Sequence, residues 1–279
     1  MRYDELYQYG KNSLRSAGID EADLDARLLL ESITGLERNV LYAHPETEIE
    51  DEQVRLYRMA IEKREGRMPL QYITNTQSFM GLDFYVDEGV LIPRQDTEIL
   101  VEEVLRESFD GMRILDICSG SGCILLSLLK YSNDTTGIGA ELSEKALAVA
   151  RQNAAGLGLE DRAEFVRSDL FESVEGEFDI IVSNPPYIKT DVIQELMPEV
   201  RDHEPVMALD GKDNGLYFYE KILENIGRHV LRGTRLYFEI GFDQGEEVAA
   251  LTRQAGFSDV KVVKDYAGLD RVVFGIYGG

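Results

Sequence analysis

The chain has 279 residues, of which 44% are hydrophobic, so it can bury a sizeable core and form one large domain beside a smaller one. Its 52 acidic and 29 basic side chains give a formal charge of −23, which opposes binding to a polyanion because no Lys/Arg cluster supplies a basic patch. The sequence contains no run of 18 apolar residues, and Met1 to Glu5 lack the apolar core of a signal peptide, so we expect a cytoplasmic protein that binds no membrane and no nucleic acid directly.

Cysteine and histidine are too sparse to indicate a metal site or a Cys/His nucleophile. Cys118 and Cys123 flank a glycine-rich segment, where we expect small buried side chains rather than a disulfide. The three histidines are scattered along the chain. No metal is therefore predicted.

Residues 1–70 are predicted to form a small helical domain, because their apolar residues recur at helical spacing. Asp20 is the expected N-cap of one helix, and Gly35 is its expected end. Asp51 and Glu52 place negative charge where the first turn of another helix is expected.

Residues 71–93 are predicted to form a β-hairpin linker between two domains. Their apolar and aromatic residues have strand character and are interrupted by Gly81 and Gly89, which are typical of turns.

Residues 94–279 alternate between apolar strands and amphipathic helices, which predicts an α/β fold with a mostly parallel, Rossmann-like sheet of seven strands. The predicted strands are Arg113–Ile117, Thr136–Glu141, Glu164–Arg167, Phe178–Ser183, Arg235–Ile240, Val260–Val263 and Arg271–Ile276. Helices are predicted after Gly122, Ser143, Gly215 and Gln244. The close spacing of the last two strands favours an antiparallel edge. Ligands of such sheets bind outside the carboxyl ends of the strands.

A glycine loop follows the first of these strands and opens a helix. It contains Asp116, Cys118, Ser119, Gly120, Ser121 and Gly122. Its glycines let the backbone approach a ligand, which could be a dinucleotide, a phosphate or S-adenosyl-L-methionine. The third glycine of the dinucleotide spacing is missing, and the loop has no basic residue to bind phosphate. A positively charged sulfonium cofactor fits this loop best.

Two acidic residues lie where the second and third predicted strands end. Glu141 is placed to accept hydrogen bonds from both hydroxyls of a ribose. Asp169 can accept from an adenine amino group, and Leu170 can cover the ring. Either carboxylate alone is more often a cap or a solvated side chain, but together with the glycine loop they form a set that matches adenosine.

The segment Asn184-Pro185-Pro186-Tyr187 ends the strand Phe178–Ser183 and predicts methylation of an amide or amino nitrogen. Asn184 is biased toward extended geometry by the proline that follows it. Two prolines stiffen the loop and remove two N–H donors, so its carbonyls remain available as acceptors. Tyr187 supplies a flat face nearby. An isolated Asn-Pro pair would more often be a turn in which Asn bonds its own backbone. All four residues together, directly after a buried strand, instead favour a site that binds a planar NH2 group.

With these residues in place, the chain resembles the release-factor glutamine methyltransferases of the PrmC/HemK type nearly from end to end. The segments that carry the resemblance, besides the glycine loop, are Pro69–Ile73, Leu91–Glu98, Ser168–Phe171, Asn184–Ile188, Glu204-Pro205 with Ala208-Leu209, and Asp265–Arg271.

The resemblance implies methyl transfer from S-adenosyl-L-methionine to the side-chain nitrogen of the glutamine in the Gly-Gly-Gln loop of class 1 peptide-chain release factors. By this analogy the Asn184 side-chain oxygen and the Pro185 carbonyl accept the two amide hydrogens, and Tyr187 packs on the glutamine side chain. The helical domain would help to dock the release factor.

The chain departs from the family pattern at three positions. Gln95 stands where a second proline is usual, Glu141 where aspartate is commoner, and Leu170 where some members carry tryptophan. The last departure leaves the adenine contact open.

Two other functions remain to be weighed against this one. An adenine-N6 or cytosine-N4 nucleic-acid methyltransferase could use the same tetrapeptide to hold an exocyclic amine, but the charge of −23 disfavours it. A regulatory module that binds S-adenosyl-L-methionine without catalysis is disfavoured by the intact Asn184 and both prolines.

Overall fold

The computed structural model describes residues 1–278, which form two compact units. Unit 1 comprises Met1–Thr76 and Met197–His203. Unit 2 comprises Gln77–Leu196 and the chain from Glu204 onward. No helix within residues 1–278 is both long and apolar enough to cross a membrane.

Unit 1 is helical, as predicted. Its helices, numbered along the chain, are α1 (Tyr3–Ser16), α2 (Ala22–Thr34), α3 (Arg38–Ala43), α4 (Asp51–Glu65), α5 (Leu70–Thr74) and, much later in the chain, α9 (Pro198–Arg201). Tyr3, Leu30 and Tyr57 are among the side chains that form a common buried core of this unit. Fully burying an aliphatic or aromatic side chain of this size contributes roughly 1.5–3 kcal/mol.

The ends of α2 show one correct and one wrong prediction. Gly35 ends the helix in the left-handed conformation at φ +69°, which confirms the predicted stop. Asp20 is not the N-cap, because the helix begins at Ala22 and Glu21 occupies the cap position without a side-chain cap bond. Ala22 is buried, so packing rather than capping sets the start.

A buried cluster of charges connects two distant segments of unit 1. Arg64 in α4 donates through Nε to Asp25 in α2 at 2.7 Å and through a guanidinium NH2 group to Glu199 at 3.2 Å. Less than about one seventh of each of these three side chains is exposed, at 11%, 7% and 13% respectively. The segment Met197–His203 therefore depends on a cation supplied from more than a hundred residues earlier.

Unit 2 begins with the predicted β-hairpin, which is shorter than expected. Its strands are β1 (Thr76–Phe79) and β2 (Leu82–Tyr85), and the first part of the predicted linker forms α5 instead. Met80 and Gly81 between the strands both have positive φ, at +52° and +71°, as a type I′ turn requires. The hairpin prediction is confirmed.

The main sheet has seven strands in the order β5-β4-β3-β6-β7-β9-β8. They are β3 (Arg113–Ile117), β4 (Thr136–Glu141), β5 (Ala163–Arg167), β6 (Phe178–Ser183), β7 (Val230–Glu239), β8 (Phe257–Lys264) and β9 (Asp270–Tyr277). The first five run parallel, whereas β9 pairs antiparallel with both β7 and β8. The Rossmann-like sheet and its antiparallel edge are thus as predicted.

The main sheet separates two buried clusters of apolar side chains in unit 2, and helices contribute to both clusters. The helices are α6 (Gln95–Glu107), α7 (Cys123–Lys130), α8 (Glu144–Leu157), α10 (Tyr217–Asn225) and α11 (Gly245–Gln254). Side chains of α6, α7 and α8 belong to one cluster, and side chains of α10 and α11 belong to the other. Helix α6 is absent from the prediction, although its apolar residues have helical spacing.

Candidate active site

The point at which strand order reverses lies between β3 and β6, because the chain continues from β3 toward one edge of the sheet and from β6 toward the other. Ile117 at the end of β3 pairs in register with Ser183 at the end of β6. The Ser183 hydroxyl also donates to the Ile117 carbonyl at 2.6 Å. The loops after both strands therefore start side by side, where open α/β sheets bind their ligands.

A cavity of about 260 Å³ opens at this point. Most of the predicted cofactor-binding residues line it, namely Cys118, Ser119, Gly120, Ser121, Glu141, Asp169, Leu170 and Asn184. Pro186 lines it as well. Asp116 and Gly122 belong to the same loop without lining the cavity, and Pro185 and Tyr187 adjoin Asn184 without lining it. The structure thus brings together the glycine loop, the ends of β4 and β5, and the asparagine–diproline corner.

The glycine loop bends sharply as it leaves β3. Cys118 adopts φ +61° and Gly120 φ +54°, a conformation that costs a non-glycine residue about 1–3 kcal/mol. A Cβ atom added to Gly120 would meet no protein atom within 4 Å, so the backbone is open to the cavity. The Asn153 side chain donates to the Ser121 carbonyl at 2.9 Å and thereby holds the other end of the loop.

Glu141 is held rigidly at the end of β4 by two backbone amides. Its Oε2 accepts from the Gly120 N–H at 3.0 Å, and its Oε1 accepts from the Ser143 N–H at 2.8 Å. A carboxylate oxygen can accept more than one hydrogen bond. Both oxygens therefore keep acceptor capacity for a ligand in the cavity.

Asp116 supports the loop from beneath. It is fully buried, its Oδ2 accepts from the Leu125 N–H of α7 at 3.3 Å, and its Oδ1 has no hydrogen-bond partner within residues 1–278. Burial raises the pKa of this carboxyl well above its ordinary value. Its position ties the end of β3 to the start of α7.

The end of β5 is shaped by the buried side chain of Ser168. Its hydroxyl donates to the Leu170 carbonyl at 2.8 Å and accepts from the Ser173 N–H at 2.9 Å. Leu170 is thereby held at φ +50°. Asp169, between them, is exposed and reaches the rim of the cavity.

The asparagine–diproline corner has a fixed orientation. The Asn184 Nδ2 group donates to the Thr97 hydroxyl oxygen in α6 at 3.4 Å. Within the chain up to residue 278, no group donates to Asn184 Oδ1 or to the Pro185 carbonyl. Two acceptors at the corner are thus left without internal partners.

Tyr187 does not line the cavity, and its hydroxyl lies against a buried carboxylate. Its hydroxyl donates to Glu239 Oε1 at 3.3 Å, and its carbonyl accepts from the Gln244 side chain at 3.1 Å. Burial, followed by the charge of Glu239, raises the pKa of its phenol far above the ordinary value. A Cβ atom at Gly211 would lie only 2.7 Å from the Tyr187 backbone, so the neighbouring loop packs closely on it.

Glu239 and Thr97 are site residues that the sequence-based prediction missed. Glu239 ends β7 and is 1% exposed, and Thr97 in α6 is 2% exposed. Burial raises the pKa of Glu239 to about 7, although the charge of Arg271 lowers it. A carboxylate directly after the apolar run Leu236–Phe238 was the available signal.

Two further ion pairs come from segments that carried the family resemblance. Glu204 is buried and pairs with Arg94 at the start of α6, while also accepting from the Ile92 N–H at 3.4 Å. Arg271 pairs with Asp265 at 3.0 Å and with Asp96 at 3.2 Å. Both pairs hold the start of α6, because Arg94 is its N-cap residue and Asp96 lies in its first turn.

The residues around the cavity fit S-adenosyl-L-methionine. Ser119 Oγ is buried without a partner within residues 1–278, and it belongs to a residue that lines the cavity. The acidic side chains of Glu141 and Asp169 suit a cationic ligand that carries a ribose. The open backbone at Gly120 leaves room for a close approach.

Comparison with known proteins identifies the family. Residues 5–74 match the family model described as the PrmC N-terminal domain, and residues 93–202 match the one described as the methyltransferase small domain. A release factor glutamine methyltransferase from Clostridium acetobutylicum is 42% identical, over 91% of this chain and 91% of that protein. The chain belongs to the release factor glutamine methyltransferase family. A second member, from Agrobacterium fabrum, is also 42% identical, over 94% of this chain and 93% of that protein.

The predicted family, fold class and enzyme class are therefore confirmed, and S-adenosyl-L-methionine is the methyl donor of this methyltransferase. Among solved structures, a methyltransferase from Pyrococcus furiosus has a TM-score of 0.55 at 19% identity, covering 78% of this chain and 100% of that one. This likeness reflects the shared fold.

Proposed function

We propose that the chain transfers a methyl group from S-adenosyl-L-methionine to the side-chain nitrogen of the glutamine in the Gly-Gly-Gln loop of class 1 peptide-chain release factors. The observation that carries this proposal is the corner at Asn184, which borders the cavity and keeps two acceptors without internal partners. A primary carboxamide offers two N–H donors, so it complements such a corner.

Asn184 and Pro185 are assigned the role of aligning the nucleophile. An amide nitrogen is a poor nucleophile because its lone pair is delocalised, so orientation is the main contribution available to the protein. Asn184 Oδ1 and the Pro185 carbonyl would each accept one amide hydrogen and direct the nitrogen toward the cavity. The activated methyl group would come from the cofactor, which would leave as S-adenosyl-L-homocysteine, and the methylated amide would lose one proton to water. Pro186 keeps this corner stiff.

The same two acceptors would reject glutamate in place of the substrate glutamine. Each neutral hydrogen bond contributes about 0.5–1.5 kcal/mol net, but a carboxylate would leave both acceptors unpaired and place oxygen against oxygen. Tyr187 would contribute its ring to the glutamine side chain, with its hydroxyl already held by Glu239.

The cofactor would be held by residues from three strand ends. The backbone of Cys118–Gly122 would approach it closely, Glu141 would accept from both ribose hydroxyls, and Asp169 with Leu170 would bind the adenine. Asp116 would act indirectly, by supporting the glycine loop through its hydrogen bond from the Leu125 N–H. Support comes from the lining of the cavity and from the two amide bonds that hold Glu141.

The direct test is methyl transfer from radiolabelled cofactor to a purified release factor, beside a release factor whose Gly-Gly-Gln glutamine is replaced by alanine. We expect label in the first protein and none in the second. Label in both proteins would mean that a residue other than this glutamine is methylated. Label in DNA in a parallel reaction would favour the nucleic-acid methyltransferase alternative.

We further propose that residues 1–70 help to dock the release factor, with residues 71–93 as the linker to the catalytic domain at 94–279. The match to a separate family model over residues 5–74 supports an independent role. Deleting residues before Gln71 should impair methylation of intact release factor more than that of a short Gly-Gly-Gln peptide.

The deletion needs a matched background, because it also removes Arg64 and Arg67, the cations that pair with Glu199. Glu199→Gln should therefore be introduced into both the deleted and the full-length chain. Equal losses with both substrates would contradict a docking role.

A further inference from the structure

Gln244, the N-cap residue of α11, is a buried amide that bonds to three separate parts of the backbone. It is 4% exposed and does not line the cavity. Its Nε2 group donates to the Tyr187 carbonyl at 3.1 Å and to the Gly215 carbonyl at 3.2 Å, while its Oε1 accepts from the Gly241 N–H at 2.9 Å. Because two carbonyls need the NH2 group and one N–H needs the oxygen, a single orientation of the amide satisfies all three partners.

The turn that carries Gln244 is fixed independently of the corner. The Gln244 N–H donates to the Gly241 carbonyl at 3.0 Å, in the direction opposite to the side-chain bond between the same two residues. This turn follows β7, whose neighbour β6 leads into the asparagine–diproline corner at Asn184. Gln244 therefore reaches the corner from the adjacent strand end with little freedom of its own.

Residues 208–215 pack directly on the backbone at the end of the corner. The Gly211 N–H donates to the Ile188 carbonyl at 2.8 Å. A Cβ atom at Gly211 would lie 2.7 Å from the Tyr187 Cα, and one at Gly215 would lie 2.4 Å from the Tyr187 carbonyl oxygen. These distances leave no room for a side chain, so the two segments meet backbone to backbone.

The two segments that Gln244 joins both contribute to the wall of the cavity. Asn184 lines it from the corner, and Ala208 and Lys212 line it from residues 208–215. Without the Gln244 Nε2 group, two carbonyl oxygens would lie near each other with no donor between them, which is unfavourable for buried groups. If the segments separated, the Asn184 side chain would move as well, because the two prolines make the corner stiff.

We propose that Gln244 is a positioning residue for methyl transfer, because it locks the corner against residues 208–215 and thereby fixes where the Asn184 and Pro185 acceptors lie relative to the cavity. This inference rests on the proposed function, which assigns the alignment of the substrate amide to those two acceptors. Gln244 acts through Tyr187 and touches no reacting atom. A misplacement of about 1 Å can cost about a hundredfold in rate, so a contact outside the cavity can control the reaction.

The test is Gln244→Met in the full-length chain, since methionine is similarly long and unbranched but has no N–H donor. We expect kcat for methylation of purified release factor to fall about tenfold or more. The KM for release factor and the Kd for S-adenosyl-L-homocysteine should stay within about threefold of the wild-type values, because alignment rather than binding is lost. An unchanged kcat, or a cofactor affinity that falls as much as kcat, would overturn the inference.

Thr234→Val is the matched control for a general loss of stability. The Thr234 hydroxyl is buried, donates to the Phe178 carbonyl at 2.6 Å and accepts from the Leu231 N–H at 2.8 Å. These bonds join the same two strands, β6 and β7, at the end opposite the corner. Thr234→Val should lower the melting temperature and leave kcat within about twofold. A loss of kcat equal to that of Gln244→Met would mean that Gln244 only stabilises the fold.

Gly211→Ala disturbs the same contact without changing Gln244, and it provides the test if Gln244→Met does not fold. Its Cβ atom would push residues 208–215 away from the Tyr187 backbone, so kcat should again fall about tenfold with the cofactor Kd little changed. The double variant should lose little more than the weaker of the two single variants, because both changes break one contact. Losses that multiply would contradict this coupling.

Hydrogen exchange followed by mass spectrometry tests the inference without substrate. The Ile188 N–H donates to the Leu209 carbonyl at 3.0 Å, so the Ile188 and Gly211 amides are protected while the two segments stay together. Both amides should exchange faster in Gln244→Met than in the wild type or in Thr234→Val. Unchanged protection would overturn the inference. Faster exchange, in an enzyme whose Asn184→Ala variant keeps full activity, would instead overturn only the role that the proposed function gives to the corner.

Discussion

The Gly120 N–H donates to Glu141 Oε2 at 3.0 Å, so the glycine loop and the end of β4 form one rigid element. Because Glu141 also accepts from Ser143, its removal would release two backbone amides as well as the acceptors assigned to the ribose. Removal of Glu141 should therefore weaken cofactor binding.

Glu141→Ala should raise the Kd for S-adenosyl-L-homocysteine about tenfold or more, because charge-assisted hydrogen bonds contribute about 1.5–3 kcal/mol. Isothermal titration calorimetry measures the Kd. Glu144→Ala is the control, since Glu144 lies on the neighbouring helix in an exposed ion pair with Arg167. Similar Kd values for both variants would contradict the role of Glu141.

Gly120→Ala should separate backbone strain from blockage of the cavity. At φ +54°, alanine costs about 1 kcal/mol in stability, and its Cβ would occupy open space that lines the cavity. Gly158→Ala has the same strain at φ +69°, also in open space, but at the end of α8 and outside the cavity lining. Both variants should lose similar stability in denaturant, and only Gly120→Ala should weaken cofactor binding.

Asn184→Ala should reduce methyl transfer by about two orders of magnitude or more while cofactor affinity stays within a few-fold. The reason is that the side chain aligns the substrate amide and contributes little to the rest of the cavity. Asn184→Asp offers a sharper comparison, since it keeps the acceptor but loses the donor to Thr97. Equal losses of transfer and of cofactor binding would argue against an aligning role.

The stability of the wild type should fall as the pH rises from about 5 to 7.5, in part because of Glu239. Burial raises the pKa of this group from 4.5 to about 7, so between these values the folded chain binds more protons than the unfolded chain. The stabilising contribution is complete below pH 4.5 and is lost as the pH passes 7, by about 3 kcal/mol at most. Urea unfolding of the wild type and of Glu239→Gln should differ by this slope, and parallel curves would contradict it.

Arg64→Ala should destabilise unit 1 by about 3 kcal/mol, because it leaves Asp25 buried without its cation and Glu199 paired only with Arg67. Arg55→Ala in the same helix removes an exposed pair with Glu52 and should leave the free energy of unfolding nearly unchanged. Chemical denaturation of both variants measures the difference. Comparable effects would mean that the buried cluster contributes no more than a surface pair.

The sheet was largely predictable because its strands are apolar runs bounded by polar residues and glycines. The bounds of β3, β4 and β6 agree with the prediction residue for residue. β7 begins at Val230, whereas the prediction began it at Arg235. The first residues were missed because Leu231–Gly233 are exposed and show no apolar pattern.

The contacts that orient the site were not predictable in the same way. The Asn184–Thr97 bond spans 87 residues, and the Tyr187–Glu239 bond spans 52. Local patterns carry no information about which distant side chains meet. Overlooking α6 also hid Thr97, because a residue must be placed on an element before its partners can be inferred.

The joining of Met197–His203 to the N-terminal helices has a consequence for protein engineering. A fragment cut at Thr76 would lack a helical turn and the Glu199 carboxylate, while the remaining piece would carry that turn without Arg64. Chimaeras between relatives should therefore exchange both stretches together. They belong to one compact unit, although 120 residues of sequence separate them.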